Sequence, residues 1–254
     1  MTVVLFNLFH AGDVILSRTI ADEIIRANPG RSFELQCCHR YAYLWQDLGA
    51  PVVALEEGQE RVERGEPSIN LWFGALDGML AKGLTYENQV ETYNRQAPTA
   101  GLTPIVHDGK QRFVNLPVHR PIQAERFSVL VENGPVLSGQ PVLPIDPHLE
   151  RLANYFPHAT FYCSHGRFFH DHKSKNIVDV SRWNLCELSA LSNQCVTMIA
   201  RLSAVLVCSF TEHNHGRKRI VFGTPLGCPI WDEVGLIYVQ SYEALQRELE
   251  SILR

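Results

Sequence analysis

The residues best suited to chemistry fall in two stretches. The first, Phe9-His10-Ala11-Gly12-Asp13-Val14-Ile15-Leu16, follows a short apolar run, Val3 to Leu8. Gly12 allows a tight turn or a close backbone approach to a ligand. His10 adds an ionisable ring, and Asp13 places a carboxylate where a helix should begin. Two roles are open to Asp13: an N-cap that satisfies orphan amides, or a general base facing a bound substrate. The second stretch, Thr211 to Arg219, gathers Glu212, His213 and the basic triplet Arg217, Lys218 and Arg219. The chain carries a net charge of -4, so this triplet is the place to look for a held anion such as a diphosphate. The same charge run also fits a solvated helix face. His165 and Arg167, after Tyr162-Cys163-Ser164, are further candidates.

Other chemistries find less support. The first turn lacks GxGxxG, so no dinucleotide fingerprint is present. No GxSxG elbow marks a hydrolase nucleophile. His213 and His215, like His170 and His172, stand two apart, but no spacing supplies a third zinc ligand. The seven cysteines are scattered without a CxxC pair and mostly sit in apolar runs, as small core side chains do. No metal and no cofactor is expected. A negative chain does not attract nucleic acid over its whole surface. No apolar run approaches the roughly 20 residues needed to span a bilayer, which leaves peripheral membrane contact open. The start, Met1-Thr2-Val3-Val4-Leu5-Phe6, does not read as a signal peptide. The cytoplasm is the expected compartment.

The elements that must position these residues alternate. Val3 to Leu8 reads as a buried parallel strand. Leu16, Ile20, Ile24 and Ala27 then fall at helical spacing, and Asn28-Pro29-Gly30 stops the helix. Phe33 to Cys37 and Pro51 to Leu55 read as strands, with a helix over Tyr41 to Leu48 between them. Glu56 to Pro67 is an exposed loop, Ile69 to Phe73 a strand, and Thr85 to Gln96 a polar helix. Prolines 98, 104, 117 and 121 make 97–121 a linker. The pattern restarts with a strand at Phe127 to Val131, a Gly- and Pro-rich turn to Pro147, and a helix at His148 to Phe156. Strands at Thr160 to Cys163 and Asn176 to Val180 follow, then a helix over Leu185 to Leu202. Ala204 to Cys208, Cys228 to Trp231 and Leu236 to Val239 read as strands, and Tyr242 to Ile252 as a terminal helix. The expected fold is α/β, with two Rossmann-like parallel-sheet domains facing a cleft, residues 1–120 and 121–254. One larger sheet holding all the strands is the rival.

Three blocks carry a resemblance. Gly12-Asp13-Val14-Ile15-Leu16 with a helix ending at Asn28-Pro29 resembles the opening of the heptosyltransferase-like glycosyltransferases. The helix Tyr86 to Tyr93 resembles that family's segment before its interdomain crossover. Leu185 to Leu191, then Ala204 to Cys208, then Gly223-Thr224-Pro225 is similar in order to its helix, strand and donor-site turn. The resemblance implies a GT-B architecture that transfers a sugar from a nucleotide-sugar donor to a carbohydrate or related hydroxyl acceptor without an obligatory metal. It further implies acceptor binding by the N-terminal half, donor binding by the C-terminal half, and Asp13 as base. His10, Gly12, His165, Glu212, His213, Arg217, Lys218 and Arg219 would then bind substrate. The family's Asp-Ser-Gly-Pro stretch has no counterpart in Ser209 to Arg219, nor its lysine in Glu132-Asn133-Gly134-Pro135. The chain therefore reads as a divergent or degenerate member. A non-catalytic protein binding a sugar, nucleotide or partner is the alternative, and a nucleotide-sugar epimerase a third reading.

Overall fold

The structure, a computed structural model, describes residues 2–60, 65–118, 120–134, 144–165, 174–223, 231 and 234–254. They form two compact units, Met1–Pro117 with Cys228–Asp232, and Val118–Gly227 with Glu233–Arg254. Each is built around its own parallel sheet.

In the first unit β1 (Thr2–Asn7) leads into α1 (Ala11–Ala27), which returns to β2 (Ser32–Cys38). β3 (Val52–Leu55) and β4 (Ser68–Asn70) follow, then α2 (Tyr86–Gln96). The sheet order is β3-β2-β1-β4, with Leu5 opposite Leu35 on one side and Ile69 on the other. Val3, Leu5, Ile15, Ile20, Ile24 and Leu35 are fully buried. Each such side chain contributes about 1.5–3 kcal/mol by leaving water. α1 also buries Arg18, whose guanidinium bonds Asp47 at 2.5 and 2.6 Å, the Leu44 carbonyl at 2.6 Å and the Asn115 carbonyl at 2.8 Å.

The second unit runs β5 (Ser128–Val131), α3 (Asp146–Tyr155), β6 (Thr160–Cys163), β7 (Ile177–Asp179), α4 (Leu185–Gln194) and β8 (Thr197–Ala200). α5 (Ala204–Val207), β9 (Arg219–Phe222), β10 (Leu236–Val239) and α6 (Tyr242–Leu253) complete it. The sheet order is β10-β9-β8-β5-β6-β7, all parallel. β5, β8 and β9 are buried along their whole length, as strands covered on both faces must be. Leu149, Leu152, Phe161, Leu245 and Leu249 anchor the core that α3 and α6 lay on this sheet.

Four local expectations are corrected. Tyr41 to Leu48 is not an α-helix; a 3-10 helix ends at Leu44, because Arg18 takes the Leu44 carbonyl and the Trp45 indole bonds the Val14 carbonyl. The strand expected to reach Phe73 ends at Asn70. The helix expected to reach Leu202 stops at Gln194, and Thr197–Ala200 is the buried strand β8. Ala204 to Cys208 is helical instead of extended, since the Ser203 hydroxyl caps the Leu206 amide and the Cys208 amide bonds the Ala204 carbonyl. A four-residue apolar run has no periodicity to separate the two states. Of the strand expected over Cys228 to Trp231, only Trp231 lies within the described residues, as do neither Arg167, His170, His172 nor Thr224-Pro225.

Trp231 belongs to the first unit although it follows β9 in sequence. It is 5% exposed, donates from its indole to the Arg112 carbonyl at 2.9 Å and accepts from Gln111 at 3.2 Å. Its ring meets Tyr86 edge-on at 5.2 Å.

The start of α4 is closed by a reciprocal cap, with the Asn184 side chain accepting from the Glu187 amide and Glu187 from the Asn184 amide. Asn184→Ala is expected to lower stability by about 1 kcal/mol. Denaturant unfolding checks it.

Candidate functional site

Parallel α/β sheets gather ligands at the carboxyl ends of their strands, where the strand order reverses. In the first unit the chain moves from β1 outward to β2 and β3, then returns to β4 on the other side of β1. The switch point therefore lies beyond the ends of β1 and β4. Asn7, Phe9, His10 and Asp13 follow β1 there, and Trp72 follows β4. In the second unit β6 and β7 lie on one side of β5 and β8 to β10 on the other. That switch point lies beyond β5 and β8, at Glu132, Asn133, Gly134 and Arg201.

Asn7 organises the first site. Fully buried, it donates to the Ser17 hydroxyl at 2.6 Å and the Asp13 carbonyl at 3.2 Å, and accepts from the Phe9 amide at 3.0 Å. Ser17 passes its own proton to the Leu71 carbonyl at 3.1 Å and accepts from Gln89. This network fixes the ends of β1 and β4 against α1 and α2.

His10 is the N-cap of α1 and makes no side-chain cap bond. Asp13 is thus the third helical residue and not the N-cap, and Gly12 is the second, inside the helix and not in a turn with left-handed backbone. Asp13 still serves the helix start, accepting from its own amide and that of His10, and it accepts from the Trp72 indole as well. Burial pushes the Asp13 carboxyl above the usual aspartate range, and the His10 charge and these hydrogen bonds offset that only in part. A carboxylate made more basic in this way suits proton abstraction.

At the second switch point Glu132 and Arg201 form an ion pair, 5% and 8% exposed at their side chains. The guanidinium meets the carboxylate twice, Nε to Oε2 at 3.0 Å and Nη2 to Oε1 at 2.8 Å, and the Arg201 amide adds a third bond. Its Nη1 edge is not used in the pair. Asn133 joins the loops after β5 and β6, bonding the His165 carbonyl and amide at 3.0 and 2.8 Å and the Asp146 carboxylate at 2.9 Å. His165 is therefore at this edge. The sequence reading missed Glu132 and Arg201 as site residues; an acid and a base each ending a buried strand are the signal that could have found them.

The remaining candidates lie elsewhere. Arg219 does not open a helix; it is the first residue of β9, 2% exposed, donating to the Val234 carbonyl at 2.6 Å and the Ser209 carbonyl at 3.4 Å, over the Phe210 ring. Arg217 bonds the Asn193 and Cys195 carbonyls, and Lys218 bonds Ser251 at 3.0 Å. The triplet thus sits at the amino end of β9, the opposite edge of the sheet from Arg201. There Arg217, Lys218 and His213 line one open cavity of about 570 Å³. Glu212 begins an exposed 3-10 turn next to it. Among the described residues, no group of three or more His, Cys, Asp or Glu is placed to hold a metal ion. None of their helices is long and apolar enough to cross a membrane.

These placements separate the triplet's members. Arg219→Ala removes a buried side chain that packs on Phe210 and bonds two carbonyls, and is expected to lower stability by about 2–4 kcal/mol. Lys218→Ala should stay within about 0.5 kcal/mol of the parent. Chemical denaturation of both variants checks the contrast.

Neither a family model nor a curated protein matches this chain in sequence. Solved structures do match it in fold. Escherichia coli ADP-heptose lipopolysaccharide heptosyltransferase II superposes with a TM-score of 0.67 at 12% identity, over 100% of this chain and 98% of that one. The E. coli heptosyltransferase WaaC with ADP gives 0.64 at 10% identity, over 99% and 97%. A family 9 glycosyl transferase from Veillonella parvula gives 0.62 at 12% identity, over 98% and 90%. Two parallel-sheet α/β units in this order give the chain the GT-B fold of the heptosyltransferase-like glycosyltransferases.

Proposed function

We propose that the protein is a glycosyltransferase that moves a sugar from a nucleotide-sugar donor to a hydroxyl acceptor, with inversion at the anomeric carbon. The observation that carries this reading is Asp13, a carboxylate raised in basicity by burial at the switch point of the first sheet. Support also comes from the fold, shared with structures named as glycosyltransferases, one of them holding ADP.

In this mechanism the acceptor oxygen attacks the anomeric carbon as its proton passes to the Asp13 carboxylate. The bond from that carbon to the diphosphate oxygen breaks, and the nucleoside diphosphate leaves with the electron pair. The backbone around Asp13 is fixed by Asn7, which donates to the Asp13 carbonyl at 3.2 Å. Arg201 is the donor-side group, oriented by its double bond to Glu132. A cation fixed in this way could lower the barrier by meeting the charge that grows on a leaving diphosphate, without reorganising. Asn133, Gly134 and His165 complete the donor edge. The basic triplet at the amino edge of β9 has no part in this scheme.

The mutual closure of Glu132 and Arg201 favours the alternative of a non-catalytic binder, because an arginine already neutralised attracts a diphosphate less. Thermal shifts with ADP-, UDP-, GDP- and CMP-sugars separate the readings from a protein of unrelated activity. A donor at 100 times its dissociation constant stabilises by roughly 2.7 kcal/mol. Donor binding with turnover supports the transferase, donor binding without turnover the binder, and no shift with any of the four sinks both.

Asp13→Asn is expected to lower kcat by about 10²–10⁴ while leaving the donor shift intact. The parent's kcat/KM should fall on the acid side as pH drops through a pKa above the usual aspartate range, and the variant should lack that limb. The stability sign is the reverse of a salt-bridged aspartate. Because the folded pKa is raised, ionisation destabilises the fold, so stability linked to Asp13 falls as pH rises through the window above its unfolded pKa. The variant should lose this pH dependence. Full activity with lowered stability would return Asp13 to a purely structural part in the helix start.

Arg201→Lys keeps the charge but not the two-pronged geometry. Donor affinity is expected to fall roughly ten- to a hundredfold, measured by titration calorimetry.

A further inference from the structure

The surface beside Asp13 holds an aromatic pair that the reaction above leaves unused. The rings of Phe9 and Trp72 stack with centroids 3.8 Å apart and planes 5° from parallel. Phe9 is nevertheless 41% exposed, so part of a large apolar ring is held in water next to the candidate base.

The pair is fixed from several directions. The Phe9 amide bonds the Asn7 side-chain oxygen at 3.0 Å, and the Trp72 amide bonds that of Asn70, also at 3.0 Å. The same two-residue turn therefore ends β1 and β4 and brings one ring from each to the switch point. The Trp72 indole stands near enough to the Asp13 carboxylate to favour its charged form. Gly74 lies so close beneath the indole that a Cβ there would stand 2.4 Å from its nearest ring carbon. Only a residue without a side chain leaves room for the stack.

A rigid aromatic face joined through one side chain to a basic carboxylate matches a ligand with two features. One is a flat patch of C–H groups to lie on the ring, and the other is a hydroxyl at its edge to reach the carboxylate. A sugar ring presents both. The only ionisable group among the described interactions of Phe9, Trp72 and Asp13 is His10. Among these described interactions none is with a lysine or arginine.

We propose that the Phe9–Trp72 stack is the platform for the acceptor, a pyranose ring without a phosphate at the position of attack, whose hydroxyl edge lies toward Asp13. The proposal rests on the glycosyl-transfer reading and adds its acceptor class. Phe9 is then a binding residue, and Gly74 acts through Trp72 as a positioning residue.

Saturation-transfer NMR on the whole protein tests it, with methyl pyranosides of glucose, galactose, mannose and N-acetylglucosamine as probes and p-cresol as the aromatic control. Transfer to the C–H protons of at least one pyranoside is expected. Its affinity should fall roughly three- to tenfold in Phe9→Ala and return in Phe9→Tyr. Gly74→Ala, which displaces the indole, should weaken it as well. Melting temperatures confirm that each variant is folded, and nucleotide-sugar thermal shifts are recorded on the same samples. An intact donor shift with no pyranoside transfer to the parent overturns the platform alone. So does equal pyranoside affinity in parent and Phe9→Ala, or transfer from p-cresol only. Loss of both donor shift and pyranoside transfer in the parent overturns the platform and the transferase reading together.

Discussion

The side-chain amide of Asn7 governs the carboxyl edge of the first sheet. It has no contact with water, and both its donors and its acceptor are used within the chain. A buried amide left unpaired costs about 1–3 kcal/mol, so the strand end, the following loop and the first turns of α1 can adopt only arrangements that pair it. That requirement fixes where Phe9 turns out of the sheet and where Asp13 faces. Ser17 and Gln89 extend the constraint to the Leu71 carbonyl, and so to the segment that presents Trp72.

The second sheet solves the same problem with different residues. Asn133 stands just beyond β5 and ties the next loop by both the amide and the carbonyl of His165. There the charged pair Glu132–Arg201 sits behind it, with Glu132 held by the Arg201 backbone as well as its side chain. A buried pair of this kind is seldom a large net source of stability, because desolvation consumes much of its attraction. Its clear effect is geometric: it removes the freedom of a long side chain at the place where strand order reverses.

Alternation of short apolar runs with helical stripes was enough to read the strands of the first sheet and β5, β6, β7 and β10 of the second, whereas β8 was absorbed into a helix and β9 was not read as a strand. The stop at Asn28-Pro29 and the stripe from Tyr242 to Ile252 were equally plain. Other features depended on tertiary partners that spacing does not reveal. Ala204–Val207 took helical form because Ser203 caps it, and the run's composition suits strand and helix alike. Arg219 was grouped with two neighbouring cations by charge, yet it begins a strand, and its carbonyl partners at Ser209 and Val234 lie ten and fifteen residues away. Asp13 was legible as a candidate because a carboxylate opens the helix after the first strand, a place that serves a helix start and a ligand alike. Arg201 was not, since it was read as part of a long helix that the fold divides.

The docking of Trp231 on Tyr86 and Arg112 bears on the order in which the molecule is made. The amino-terminal sheet leaves the ribosome first, but one of its buried aromatic residues is translated more than a hundred residues after Arg112. Early chain must wait with that surface uncovered while β5 to β9 of the other sheet are synthesised. Domains commonly mature in the order of their synthesis; here the unit begun first is completed only after most of the second has been made. A fragment ending at Pro117 would keep every strand of its sheet and still leave the seat of Trp231 on Tyr86 and Arg112 uncovered.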